Sequence, residues 1–185
     1  MPTMSNRFKK KKENTMKTKI TCIAGDIVSI GTEIIVNAAN SGLWAGGGVC
    51  GAIFKGAGMQ QLEKACTTIG GCPTGSAVIT PAFNLEKYGT RHIIHAVGPD
   101  CRETKPEDRD KLLVSAYVAA LRLAESVGAR TIAIPAISTG IYGFPPERAA
   151  VLVADLLKTV TFDLDEIILM ALEQEKIALY ADALA

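Results

Sequence analysis

Aromatic residues are scarce in this chain, 5% of its 185 residues, and there is a single tryptophan. Histidine occurs only twice, so metal centres and catalytic dyads built on clustered imidazoles have little to draw on. No apolar run reaches the roughly 18 residues that a membrane-spanning helix needs. The basic N-terminus lacks the apolar stretch of a secretory signal. Five cysteines, an odd number with no CxxC pair, argue against a disulfide scaffold and for a reducing compartment, the cytoplasm by default. No GxxxxGK[ST] is present, which removes the P-loop fingerprint. Beyond one lysine run there are no repeats or low-complexity segments.

What remains is ordinary for a globular protein: 48% hydrophobic and 21% charged residues, enough for one self-sufficient core. Charge is unevenly spread. Arg7, Lys9, Lys10, Lys11, Lys12, Lys17 and Lys19 against Glu13 give residues 1–19 a net +6, so the rest of a chain totalling +1 carries −5. Residues 1–18 read as a basic, solvated tail and residues 19–185 as the folded domain. No aromatics interleave with the tail's lysines to stack on bases, and a body at −5 weighs against nucleic acid as a partner.

Strand and helix patterns alternate through the body. Lys19 to Ala24 and Glu33 to Ala38 read as strands, the second apolar enough for burial on both faces. Val49 to Lys55 reads as a short helix broken at Gly56 and Gly58, and Met59 to Ile69 as an amphipathic helix stopped by Gly70-Gly71. Strands follow at Ser76 to Pro81 and Arg91 to Val97, then a polar loop at Cys101 to Asp110 and a helix over Lys111 to Val127. Thr131 to Ile134, a helix over Pro145 to Thr159, a strand over Glu166 to Leu172 and a helix over Glu173 to Leu184 complete the chain. Strands separated by helices imply an α/β fold whose mostly parallel sheet is covered on both sides. Such sheets bind ligands at the carboxyl ends of their strands.

Two loops fall at such ends. The first follows Val36 and holds Asn37-Ala38-Ala39-Asn40 and the triplet Gly46-Gly47-Gly48 before a helix. Glycines let backbone amides approach an anion, and a helix N-terminus adds aligned N–H groups. On this loop alone, a phosphate cradle and a plain turn are equal readings. The second loop, Ser138-Thr139-Gly140-Ile141-Tyr142-Gly143, repeats the arrangement after a buried strand. Two such loops in one small domain favour clamping of a pyrophosphate.

Together GDI…IVNAAN…GGGV, CPTGSAVIT, HIIHAVGP and PAISTGIYGFP closely resemble macrodomains of the MacroD type, over nearly the whole chain outside the tail. The resemblance implies a three-layer α/β/α macrodomain fold with a mixed, mostly parallel six-stranded sheet and a cleft for ADP-ribose. By that resemblance Asp26 accepts from the adenine amino group and the Ile27 N–H reads a ring nitrogen. Asn40 contacts the distal ribose and positions water. Gly46, Gly47, Gly48 and Val49 line one side of the diphosphate. Pro135, Ser138, Thr139, Gly140, Ile141 and Tyr142 line the other, and Leu172 gives an aliphatic wall by the adenine. The implied ligands are ADP-ribose, ADP-ribosylated protein or O-acetyl-ADP-ribose, the implied activity ester hydrolysis by a monomer, without cofactor or metal.

The chain departs from the hydrolytic pattern at two positions. Where those relatives carry Asp after the glycine loop, this chain has Cys50, and where they carry His it has Phe54. Relatives with a small neutral residue at the first position still hydrolyse, using Asn and the substrate's own phosphate to place water. The alternative is a reader that binds without turnover. Cys50 is a candidate base or nucleophile, yet neither His92 nor His95 is close in sequence to activate it, and as a small semi-apolar filler it needs no special role. The two histidines lie three apart in one strand and so face opposite ways, which suits structural roles better than a metal. Cys22, Cys66, Cys72 and Cys101 show no metal spacing.

Asp26 admits a simpler role, capping the turn at Val28-Ser29. If it reads adenine, Asp26→Ala weakens ADP-ribose binding by about 1.5–3 kcal/mol, the cost of a hydrogen bond to a charged group. Calorimetry showing unchanged affinity removes that role.

Overall fold

A computed structural model describes residues 17–185; of the expected basic tail, residues 1–16 lie outside the described residues. Thr18, placed with that tail from sequence, donates its hydroxyl to the Phe162 carbonyl at 3.0 Å.

The central strands are apolar on both faces, so they must be covered on both sides. Six strands form one sheet in the order β1-β6-β5-β2-β4-β3, comprising β1 (Lys19–Ala24), β2 (Ile34–Ala38), β3 (Ala77–Pro81), β4 (His92–Ala96), β5 (Thr131–Pro135) and β6 (Glu166–Ala171). All neighbours pair in parallel except β3, which joins β4 antiparallel at one edge. One face packs Ile34, Val36, Ile132, Ile134, Ile167 and Leu169 against α3 (Pro106–Ser126), α4 (Pro146–Thr159) and α5 (Gln174–Leu184). The other packs Ile35, Ile93, Ala133 and Ile168 against α1 (Gly48–Ala57), α2 (Met59–Ile69) and the Ile27 turn. This is a three-layer α/β/α arrangement around a mixed, mostly parallel sheet.

Two expectations need correction. The helix expected at Lys111 begins at Pro106, and the polar loop expected over Cys101 to Asp110 is correspondingly short. Pro106 supplies its fixed φ at N1, and Glu107 and Asp108 sit at the positive end of the helix, so a polar first turn is favourable there. Secondly, α1 does not break at Gly56 but runs to Ala57 and ends at Gly58, where φ is 103°. Gly56 serves close packing: a Cβ there would fall 2.7 Å from Val28 Cγ1 and 3.2 Å from Leu85 Cδ2. Residue 56 is glycine because Val28 and Leu85 leave no room for a larger side chain, and α1 runs on through it.

Polar groups thread the α1–α2 side of the sheet. His95 on β4 is fully buried, whereas His92, three residues earlier, is only half-buried. Asn37 Nδ2 lies 3.1 Å from His95 Nδ1; an amide nitrogen only donates, so Nδ1 accepts and the ring proton sits on Nε2. That nitrogen is 3.0 Å from Thr80 Oγ1 and 3.9 Å from Cys66 Sγ. Phe54 meets the imidazole edge-on, with centroids 6.3 Å apart. Burial without an anionic partner pushes the His95 pKa from the usual 6.5 down to about 4.

The consequence for stability has a definite sign. Between about pH 6.5 and 4 the unfolded chain holds a proton on residue 95 that the folded chain refuses. Stability therefore falls as pH drops through that window, by on the order of 3 kcal/mol. Comparing urea midpoints of wild type and His95→Gln from pH 7 to pH 4 checks this. The variant is expected to lose the histidine's share of the slope, and parallel curves would show that residue 95 does not titrate as described.

Candidate functional site

Strand register decides what meets at the carboxyl edge of the sheet. β2 and β5 are adjacent and parallel, with Ile34 opposite Ile132, so the loops that leave their ends emerge side by side. β1 and β6 are likewise paired, Ala24 opposite Ala171, so the segments that carry Asp26 and Leu172 leave neighbouring strand ends. The expected site residues thus gather along one edge in two groups, the two glycine-bearing loops and the Asp26–Leu172 corner.

The first loop is braced from beneath. Cys50, in the first turn of α1 and almost fully buried, accepts from the Gly46 N–H at 3.4 Å and from Asn37 Nδ2 at 3.6 Å. Its thiol also lies 3.8 Å from the Trp44 carbonyl as a donor. The thiol is consequently a spacer that ties the glycine loop to β2 and to the His95 seam. Gly47 is the N-cap of α1 with no side-chain cap, and no acidic residue occupies the first turn. The N-terminal N–H groups there are available to an anion. A Cβ added at Gly47 or Gly48 would meet nothing within 4 Å, so these glycines face open space rather than protein.

Asn40 uses its amide locally: Oδ1 accepts from Trp44 N at 3.1 Å and Nδ2 donates to Trp44 O at 2.9 Å. One amide proton and one Oδ1 lone pair are left over for another partner. Asp26 Oδ1 accepts from the Val28 N–H at 2.9 Å, so the turn-capping role is formed; its second oxygen takes no part in that bond. Ile27 is buried. Asp26 also lines a groove of about 780 Å³ together with Val28, Lys55, Phe83, Asn84 and Lys87. Leu172 is 71% exposed.

The second loop is closed on itself. Ile137 and Phe144 are buried at its two ends, Phe144 N donates to Ser138 O at 2.9 Å, and Gly143 N donates to Gly140 O at 3.0 Å. Ser138 takes a left-handed φ of 65° and its hydroxyl is buried against Gly98, where a Cβ would fall 2.2 Å from Ser138 Oγ. The Thr139 hydroxyl donates to Ala136 O at 2.8 Å. Both hydroxyls are therefore turned inward, and the loop offers backbone outward at Gly140, whose missing Cβ would meet nothing within 4 Å, beside the exposed Ile141 side chain. Pro135 is buried, its carbonyl accepting from the Tyr117 hydroxyl at 3.1 Å, and that hydroxyl accepts in turn from Ile137 N at 3.2 Å. Ile141 is 81% exposed.

Tyr142 is held by residues that sequence reasoning missed. Its carbonyl accepts from Cys101 N at 2.8 Å, and the Arg102 guanidinium lies 5.9 Å from its ring centroid. Arg102 is forked onto Asp100, at 2.9 Å and 2.6 Å, while Arg109 fastens the same segment through the carbonyls of Cys101 and Thr104. Burial raises the Tyr142 phenol pKa, the Asp100 carboxylate adds to this, and the Arg102 guanidinium opposes it. The two loops leave neighbouring parallel strands at the same edge of the sheet. Asp100, Arg102 and Arg109 sat in a stretch without periodicity, and nothing local pointed to Tyr142.

Among the described residues, no group of three or more His, Cys, Asp or Glu side chains is placed to hold a metal ion. The chemistry on offer is instead that of free backbone amides, one partly engaged asparagine and a carboxylate.

Comparison with known proteins agrees with this architecture. The Macro domain profile matches residues 36–153. A Macro domain-containing protein of Ralstonia nicotianae is 44% identical over 165 residues, covering 89% of this chain and 94% of that one. An O-acetyl-ADP-ribose deacetylase of Escherichia fergusonii is 50% identical over 139 residues, 73% of this chain and 76% of the relative. The solved macrodomain of Oceanobacillus iheyensis with ADP superposes with a TM-score of 0.80 at 35% identity, covering 92% of each chain. Sequence, sheet order and loop placement together make this chain a member of the macrodomain family.

Proposed function

We propose that this protein binds ADP-ribose in the crevice between the two loops and hydrolyses its esters. The substrates would be ADP-ribosylated acidic side chains or O-acetyl-ADP-ribose, and water would split the ester into a free carboxylate and ADP-ribose. The observation that carries the reading is the uncapped start of α1 beside glycines that face open space, opposite a second loop that presents backbone. A diphosphate suits such amides, and the −5 body offers no general pull on polyanions that would substitute for them. The relatives' names point the same way, one being an O-acetyl-ADP-ribose deacetylase and another a macrodomain with ADP.

In this reading Asp26 and Ile27 receive the adenine with Leu172 as an aliphatic wall. Gly46 to Val49 and Ser138 to Tyr142 grip the diphosphate. The spare amide proton of Asn40 reaches the distal ribose and, with the substrate's phosphate, places the attacking water. The protein would act in the cytoplasm as a monomer and without a cofactor; its five cysteines are free thiols, which a reducing compartment preserves. A second reading, a reader that does not turn its ligand over, is favoured by Cys50, whose thiol is occupied with Gly46, Asn37 and Trp44.

Incubation with a glutamate-ADP-ribosylated protein and, separately, with O-acetyl-ADP-ribose separates the two: released ADP-ribose or acetate supports the hydrolase, and tight binding with no release supports the reader. Cys50→Ala is expected to leave turnover nearly unchanged, since the thiol braces the loop without touching the reaction. Cys50→Asp is expected to raise it by about tenfold or more, by adding a group able to activate water. Complete loss of turnover in the alanine variant would mean that the sulfur itself does chemistry.

A further inference from the structure

The sole tryptophan stands 63% exposed on the first loop, where burial would have been the favourable outcome. It is not a loose surface side chain. Asn40 fixes its backbone at both polar atoms, and the Cys50 thiol approaches its carbonyl. Leu43, immediately before it, is buried with a left-handed φ of 60°, a strained conformation for a residue with a branched apolar side chain. Leu43 N also closes a turn onto Asn40 O at 3.0 Å. This turn sends Leu43 inward and Trp44 outward. The indole then lies over Gly42, where a Cβ would fall 1.6 Å from ring atom Cζ3, so only glycine admits that pose.

Four features thus hold a large aromatic surface in water beside Asn40: the asparagine clamp, the strained leucine, the turn and the bare glycine. Core packing gains nothing from this arrangement. An exposed tryptophan on a fixed backbone has the character of an interface anchor, because little backbone freedom remains to be lost on contact.

We propose that Trp44 is a platform for the polypeptide that carries the ADP-ribose, which makes protein-linked ADP-ribose the preferred ligand over the free nucleotide or its acetyl ester. This rests on the ADP-ribose reading of the crevice, in which Asn40 marks the distal ribose. The group esterified to that ribose leaves the crevice at Asn40, and the main chain of Trp44 is joined to that same residue through two hydrogen bonds. An acetyl group is too small to lie across the ring. A chain flanking a modified acidic residue can do so, burying apolar area that the free nucleotide leaves exposed.

The test measures affinity for free ADP-ribose and for a peptide carrying ADP-ribose through a hydrolysis-resistant linkage, with the unmodified peptide as control. Wild type is expected to bind the conjugate about tenfold more tightly than ADP-ribose, the scale of one aromatic anchor. Trp44→Ala is expected to erase that difference while leaving free ADP-ribose affinity essentially as it was, and Trp44→Phe to keep most of it. Equal wild-type affinity for the two ligands would overturn the inference, as would equal loss for both in Trp44→Ala. A wild type that binds neither ligand would overturn the ADP-ribose reading itself and this inference with it.

Discussion

Two-sided burial of β2 and β5 is the constraint from which the site follows. Ile34, Ile35, Val36, Ile132, Ala133 and Ile134 are all essentially inaccessible, so helices must lie on both faces and the connections must cross from one end of the sheet to the other. Parallel neighbours then release their chains at the same edge. The glycine loop and the Ser138–Tyr142 loop emerge side by side for that reason, although about a hundred residues separate them in sequence.

Under the first loop, core polarity is paired side chain to side chain, except that Asn37 Oδ1 finds no partner among the described residues. Asn37, His95 and Thr80 form a continuous seam on the α1–α2 side, and Cys50 joins it to the glycine loop. A neutral imidazole accepting at one nitrogen and donating at the other suits this position, whereas an imidazolium would face an amide donor with no anion nearby. The seam fixes β2, β4 and β3 relative to α1, and so fixes where α1 begins. The helix terminus at the crevice is thus positioned by packing and hydrogen bonds some distance beneath it.

The second loop is built differently. It closes through its own carbonyls, turns its hydroxyls inward and is buttressed by the Asp100–Arg102 fork, Arg109 and the Tyr117 hydroxyl. The surface ion pair between Asp100 and Arg102 would contribute little to stability by itself. Its effect here is positional, since the segment it stiffens donates to the Tyr142 carbonyl and sets a guanidinium near the ring. Both sides of the crevice therefore present main chain, in keeping with a domain body that is acidic overall.

The amino-acid sequence by itself determined the local matters. Alternating apolar runs placed each strand to within a residue or so, glycines marked the loops, and the order of four motifs identified the family. These are legible because they depend on side-chain type at short spacing. The sequence misjudged Gly56, which looked like a helix break and is a packing contact, and the start of α3, where a polar first turn resembled a loop. The tertiary structure alone decided the strand order, which residues meet across the crevice, and how each polar group is used. Asn40 turning to Trp44, Ser138 turning to Gly98 and Cys101 supporting Tyr142 all depend on distances closed by strand pairing and helix packing, and no local pattern of residues encodes them.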